Sequence, residues 1–437
     1  MTGGAIEHVH TLIRLWGHGR ASREQLITFQ NRKLRFLVRH AFHHVPYYRR
    51  LFAEAGIGPD RIACAADLAL LPVTTKAMLR AEPLENIVAG NVDPRSLITR
   101  YSAGSTGEPA SIKRTAFEDH LLNMFRIRAL AMLGRRPGDR NAQVRSPGVP
   151  TDRLPHRPVW TKSIPIFQST NVNCLRAVEE VAGDLARLRP DVIHGYGTVL
   201  MEVASVWPSV APNGRSPRLI FSGGEALTGS MRARLREGFG ADVFNIYGSH
   251  EFNLIAWECA ETGLLHLTDD NVIVEVVREG RPVAPGETGE VLVTGLHTYA
   301  SPKIRYALDD YVATTIEESC PCGRPFGALR EVRGRTMDYV VLPGGRKMHH
   351  WELIPMSFWD LPWHRRYQVV QAPSGDISLR LVAEGKPPPS AVAELDAQIR
   401  SKIGRDARFG IEFVDEMAFT SSGKHRLCRS ALVSPND

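Results

Sequence analysis

The strongest constraint in this sequence is a regular alternation between residues 190 and 250. Short apolar runs at 191–194, 218–221 and 243–247 read as strands, each followed by glycine or serine. Residues 199–207 and 228–239 between them read as helices, and Thr228 suits the cap of the second because its hydroxyl can accept an orphan amide. Strands and helices in this order, with short apolar strands, dictate a parallel sheet covered by helices. Ligands of such sheets sit at the carboxyl ends of the strands. The three ends here carry Gly195-Tyr196-Gly197, Ser222-Gly223-Gly224-Glu225 and Tyr247-Gly248 with Glu251 beyond, so a site is expected there. His194, Tyr196 and Ser222 are the candidate lining of its substrate pocket.

The flanks differ. Leu34, Leu37, Val38 and Ala41 fall on one helix face, and Pro46 stops that helix. Further helices are expected over 120–133 and 175–188. From His266 the pattern turns to β, with strands over 266–277 and 290–296 joined through a Gly/Pro-rich turn at 280–289. After Gly334-Arg335 comes a small α+β unit with strands near 367–372, 377–383 and 411–414 and a helix over 391–403. A chain of 437 residues exceeds one compact core, and the expected division is 1–333 and 334–437.

Composition narrows the function. Lys plus Arg minus Asp plus Glu is 54 − 47 = +7, spread without a basic run, so nucleic acid is not an expected partner but small anions are. No apolar run is long enough to span a bilayer, and the N-terminus has no leader pattern, so a cytoplasmic protein is expected. Six cysteines are sparse, and in that compartment clustered cysteines favour metal over disulfides. Cys259 and His266 with Cys320-Pro321-Cys322 form a closed zinc set of three thiolates and one imidazole; three reduced thiols beside a surface histidine are the plainer alternative. Cys64, Cys174 and Cys428 are isolated and read as packing residues. The loop Tyr101-Ser-Ala-Gly-Ser-Thr-Gly-Glu-Pro109 combines hydroxyls with glycines, which suits phosphate oxygens, although it lacks the Gly-Lys-Ser/Thr ending of a Walker loop; a solvated turn is its bland reading.

That loop resembles the phosphate-gripping loop of adenylate-forming enzymes, in the version found in the phenylacetate–CoA ligase branch. The likeness continues in family order through His44-Val-Pro-Tyr-Tyr48, Leu71-Pro-Val-Thr-Thr-Lys76, Phe221-Ser-Gly-Gly-Glu225, Asn245-Ile-Tyr-Gly-Ser-His-Glu251, Thr288-Gly-Glu290, Ile304-Arg-Tyr306 and Gly334-Arg335. It implies the adenylate-forming α/β fold: a large N-terminal domain with parallel sheet and β-rich subdomain, and a small mobile C-terminal α+β domain. It also implies ATP-dependent activation of a carboxylic acid, expected to be aromatic, to an acyl-adenylate with release of pyrophosphate, followed by transfer to coenzyme A. By matching position, Ser102, Ser105, Thr106 and Gly107 would hold the β- and γ-phosphates. Tyr247 would stack on adenine among Gly223, Gly224, Glu225, Asn245 and Gly248. Glu251 would bind Mg²⁺, Asp310 and Arg335 the ribose, and Lys424 the α-phosphate and carboxylate. The cysteine–histidine set would be structural zinc, and a homodimer is compatible with the family.

The pattern also departs from the family. His250 precedes Glu251, Ala307-Leu308-Asp309 replaces an arginine-threonine-glycine run, and Met337 stands where a hinge aspartate is usual. These changes keep two alternatives open: acyl transfer to an amine or hydroxyl without coenzyme A, and a non-catalytic nucleotide-binding relative.

Overall fold

The computed structural model describes residues 13–101, 111–146, 169–211, 216–314, 320–335, 339–355, 357–358, 361, 363–417 and 427–432. It divides into two compact units. One comprises 1–139, 149–168 and 244–332; the other comprises 140–148, 169–243 and 333–437.

In the first unit the Arg23–His44 helix buries Leu34, Leu37, Val38 and Ala41, the expected stripe. Ser22 caps it in a full capping box with Gln25. Pro46 stops this helix and also opens the next one, Pro46–Glu54, because proline's fixed φ and missing N–H cost nothing in a first turn. The helix expected from 120 begins earlier, as Ala116–Met132, because Thr115 and Glu118 form another capping box. The Arg23–His44 and Pro46–Glu54 helices share a core with antiparallel strands, in which Val272–Arg278 pairs with Thr288–Gly295 and that with Tyr306–Thr314. Phe52, Tyr48, Ile255, Val293 and Ile304 are central to this core.

The single strand expected over 266–277 is in fact two, Leu265–Leu267 and Val272–Arg278. Thr268-Asp269-Asp270-Asn271 turns between them, with the Asn271 amide donating to the Thr268 carbonyl at 2.7 Å. This turn is fully or almost fully buried, and its three consecutive side chains Asp269, Asp270 and Asn271 cross-link distant parts of the unit. Asp270 accepts from both terminal nitrogens of Arg128, one bond measuring 2.9 Å, and lies 2.8 Å from His18 Nδ1. Asp269 accepts from Arg23 and from the Gly327 amide at 2.6 Å. Asn271 donates to the carbonyls of Phe252 and Leu254. Helices and strands from distant parts of the sequence thus meet on three consecutive side chains.

The second unit holds the α/β alternation. Parallel strands lie in the order Ser169–Asn173, Asn141–Arg145, Val192–Gly195, Leu219–Gly223. The helices Val178–Leu188, Gly197–Val210 and Gly229–Phe239 accompany them, and Thr228 caps the last as expected, accepting from the Met231 amide at 3.2 Å. The latter two cross so closely that a Cβ on Gly238 would stand 2.4 Å from the Ala204 carbonyl oxygen. The C-terminal part has antiparallel strands His364–Gln371 and Ile377–Ala383, flanked by parallel strands Phe409–Phe413 and Cys428–Ser430, with the helix Pro389–Ile403. The Cys428–Ser430 strand has no counterpart in the expected element list. Cys174 and Cys428 are buried packing residues, 3% and 0% exposed. Arg366 forms a two-bonded ion pair with Glu202, and Arg234 donates to the carbonyls of Leu361 and His364 at 3.1 and 2.8 Å.

Burial alone would raise the Asp270 pKa, but Arg128 and His18 overcome it and hold the carboxyl well below the usual carboxylate range. Its stabilisation is therefore present above the unfolded-state pKa near 4 and fades only as pH falls toward the lower folded value. Asp270→Asn keeps the shape and strands the Arg128 charge, so a loss of about 3–5 kcal/mol is expected in denaturant unfolding at pH 7. A loss under about 1 kcal/mol would show that the pair is not a clamp.

Candidate functional site

In the first unit the strand Asp242–Ser249 turns sharply into Asn253–Glu258. Gly248 faces Leu254, and a Cβ there would sit 2.0 Å from the Asn253 carbonyl oxygen, so only glycine allows the turn. The turn presents Glu251. Its neighbour His250 offers its backbone carbonyl to the Arg114 guanidinium. Glu251 is 8% exposed, yet no hydrogen bond or ion pair holds its carboxylate among the described residues. Tyr247 is also 8% exposed and packs in the core with Phe252 and Ile255. The Asn245 amide donates to Glu258 at 2.7 Å.

Three charged residues around this turn were absent from the sequence reading: Arg114, Glu118 and Lys303, which are 2%, 4% and 7% exposed. Glu118 is fully committed. One oxygen accepts from the Thr115 amide at 2.7 Å, and the other from the amides of Tyr299 and Ala300 at 2.5 and 2.9 Å. Among the described residues Lys303 donates to Ser301 alone, at 3.2 Å to its carbonyl and 3.0 Å to its hydroxyl. Burial pulls the Lys303 ammonium down to about 8, with Glu251 the carboxylate acting most strongly against that shift and Arg114 adding to it. The Thr115-x-x-Glu118 capping box was the one sequence signal available for Glu118; a lone lysine in a loop gives none.

The residues expected to line the pocket, His194, Tyr196 and Ser222, lie in the second unit. Gly195 and Ser222 are register partners on adjacent parallel strands. His194 lies on Phe221, ring centroids 4.9 Å apart. A Cβ on Gly197 would meet Met231 at 2.8 Å and Ser222 Oγ at 3.0 Å. Gly224 needs its φ of +83°. Glu225 accepts from the Thr198 amide and hydroxyl at 3.2 and 2.8 Å, which caps the Gly197–Val210 helix from outside. The Glu225 carboxylate is thus occupied in fixing the strand end. Burial pushes the Tyr196 hydroxyl up to about 12 and the Cys174 thiol up to about 11, so both stay neutral at pH 7.

The loop residues Ser102, Ser105, Thr106 and Gly107, together with Lys424 and Met337, lie outside the described residues. Asp310 and Arg335 are described in backbone only, in the strands Tyr306–Thr314 and Ala328–Arg335.

Cys259, His266, Cys320 and Cys322 converge, with ligand atoms all within 4.8 Å of one another. Two tight turns bring the sulfurs in. The Gly263 amide closes one onto the Cys259 carbonyl at 2.9 Å, and the Gly323 amide closes the other onto the Cys320 carbonyl at 3.1 Å. Cys322 Sγ lies 3.3 Å from His266 Nε2. Burial lowers His266 to about 4, which keeps it in the neutral, ligating form. Burial opposes the Cys259 thiolate, but the Thr262 hydroxyl, the amides of Glu261 and Thr262, and Cys322 outweigh it and lower the pKa. A tetrahedral zinc with sulfur ligands at about 2.3 Å has ligand–ligand edges of about 3.8 Å, so donor type and spacing both fit that ion.

Residues 91–300 match the family described as AMP-binding enzyme. The chain is 28% identical over 335 residues to the phenylacetate-coenzyme A ligase of Thermus thermophilus, covering 74% of this chain and 73% of the relative. It is 28% identical over 342 residues to that of Escherichia coli, covering 74% of each. A crystal structure of 2-hydroxyisobutyryl-CoA ligase, in the postadenylation state with an acyl-AMP, superposes with a TM-score of 0.75 at 18% identity, over 92% of this chain and 89% of that one. The anthranilate CoA ligase AuaEII superposes at 0.56 and 17% identity, over 83% and 73%. No helix among the described residues is long and apolar enough to cross a membrane.

Proposed function

We propose, from the premise that this chain is a phenylacetate–CoA ligase-like relative of the adenylate-forming enzymes, that it joins a carboxylic acid to AMP and then passes the acyl group to coenzyme A. One observation in the fold carries the reading: Glu251, an enclosed carboxylate with no hydrogen bond or ion pair among the described residues, on a rigid glycine turn. A hard divalent cation such as Mg²⁺, bridging to phosphate, is the ligand such a group suits.

In the first step a carboxylate oxygen of the acid attacks the α-phosphorus of ATP, and the bond to pyrophosphate breaks. Ser102, Ser105, Thr106 and Gly107 hold the departing phosphates, Tyr247 borders the adenine, and Asp310 and Arg335 take the ribose. Glu251 would hold the metal, which when bound would supply positive charge against the phosphates. Lys424 brings a cation to the oxygens on which charge develops. In the second step the thiolate of coenzyme A attacks the acyl carbon and AMP leaves. Residues 334–437 act as the small domain that re-presents itself between the steps, a movement of the kind that gates many enzymes. His194, Tyr196 and Ser222 line the acyl pocket, where neutral polar groups beside glycine suit a flat aryl acid. We place the reaction in the cytoplasm.

Given ATP and Mg²⁺, a panel of aryl acids should include one that releases pyrophosphate and traps as a hydroxamate with hydroxylamine. Coenzyme A should then speed turnover. Lys424→Ala should lower pyrophosphate release at least about 100-fold, the scale of losing one charge-stabilising group, while sparing transfer from preformed adenylate. Release unchanged in that variant would remove the lysine from the first step, and no release with any acid would favour the binding-only reading.

Zinc held by Cys259, His266, Cys320 and Cys322 is proposed as a structural clip, closed to water by four protein ligands. Elemental analysis should find about one zinc per chain, lost in Cys320→Ser together with thermal stability. A metal-free protein of unchanged melting temperature would refute the clip.

A further inference from the structure

Glu251 and Lys303 are opposite charges, both enclosed, and neither is neutralised by a direct partner among the described residues. Enclosing a charge without a partner is costly, so a fold that keeps two such groups near one another reserves them for a ligand. The backbone around Lys303 is pinned independently of its side chain. The Tyr48 hydroxyl donates to the Pro302 carbonyl at 3.1 Å and accepts from the Ile304 amide at 2.9 Å. The Gly295 amide donates to the Lys303 carbonyl at 3.0 Å, and the Arg305 amide to Thr294 Oγ1 at 2.9 Å. The ammonium is therefore not needed to hold its own loop. It spends two bonds on Ser301 and has a third donor left. Two carboxylates act on it electrostatically, Glu251 and Glu118, and both Glu118 oxygens are taken by backbone amides. Arg114, the other cation here, is engaged by the His250 carbonyl and lies 3.7 Å from Asp119.

A ligand that satisfies a carboxylate and the remaining donor of an ammonium together must carry a cation and an anion. A metal-complexed phosphate does so: the metal goes to Glu251 and a phosphate oxygen to the lysine. We propose that Lys303 is a phosphate-binding residue of the nucleotide site, a cation resident in the same unit as Glu251 and distinct from Lys424. This assignment rests on the nucleotide reading above and adds a residue to it. It follows that the site keeps a positive charge on the phosphates whichever way the C-terminal segment is turned.

The test is calorimetric titration of the full-length protein with ATP in the presence of Mg²⁺, alongside the KM for ATP in pyrophosphate release. Lys303→Met, near-isosteric and uncharged, should weaken Mg·ATP binding and raise that KM by about tenfold to a hundredfold, the range of one charge-assisted hydrogen bond, at a nearly unchanged melting temperature. Lys303→Arg should recover most of the affinity. A folded Lys303→Met protein with wild-type affinity would overturn the assignment, and so would a loss that follows a fall in melting temperature and is not recovered by arginine. Wild-type protein that binds no Mg·ATP would instead sink the nucleotide reading, and this residue's role with it.

Discussion

The first unit is organised around the buried pair of Arg128 and Asp270. A charge taken out of water is tolerable only with a partner and good hydrogen bonding, and here the two terminal nitrogens of Arg128 meet both carboxylate oxygens of Asp270. Arg128 is 0% exposed, donates twice to Asp270 and once to the Leu15 carbonyl at 2.9 Å. The Asp270 carbonyl in turn receives His297 Nε2 at 2.7 Å. Because Asp269 and Asn271 bind on either side, the turn at 268–271 locks the N-terminal helices to the strands that carry the Glu251 hairpin and, at its other margin, the cysteine cluster. The placement of the candidate metal acid is thus inherited from a clamp that has no part in the chemistry.

Two kinds of polar burial coexist in this unit and differ in physical meaning. Asp270, Glu118 and the guanidinium of Arg305 are saturated; Arg305 alone reaches Glu275 and the carbonyls of Ala69, Leu71 and Gly280. Saturated groups of this kind give a core a unique arrangement. Glu251 and Lys303 are buried to a similar degree, yet among the described residues Glu251 has no hydrogen bond and Lys303 bonds only to Ser301. That contrast, within one shell of residues, is what separates structural charge from charge held for a ligand.

Much of the scaffold could be read from residue order because local chemistry decides it. The 191–247 alternation, the Thr228 cap and the stripe from Leu34 to Ala41 follow from periodicity and side-chain hydroxyls. The convergence of Cys259, His266, Cys320 and Cys322 follows from ligand type. What stayed hidden depends on distant partners. The pattern over 266–277 predicts one strand, because nothing local shows that Asp269 and Asp270 are held in a buried turn by Arg23 and Arg128. Residues 428–430 are too short and too polar to announce a strand, and they become one only against Val369 and Gln371. Nothing near Lys303 in sequence marks it as enclosed; its loop is pinned by Tyr48, which holds the backbone of Pro302 and Ile304 from more than 250 positions away.

The ion pair of Arg366 with Glu202 and the clasp of Arg234 on the carbonyls of Leu361 and His364 tie the C-terminal strands to the helices of the α/β layer. Any swing of that segment between half-reactions has to exchange these arginine bonds for others or for water. Such a toll is nearly independent of electrolyte, since the Arg366 and Glu202 side chains are only 16% and 17% exposed and enclosed pairs are screened much less than surface ones. The latch would therefore keep its grip in strong and in dilute buffer alike.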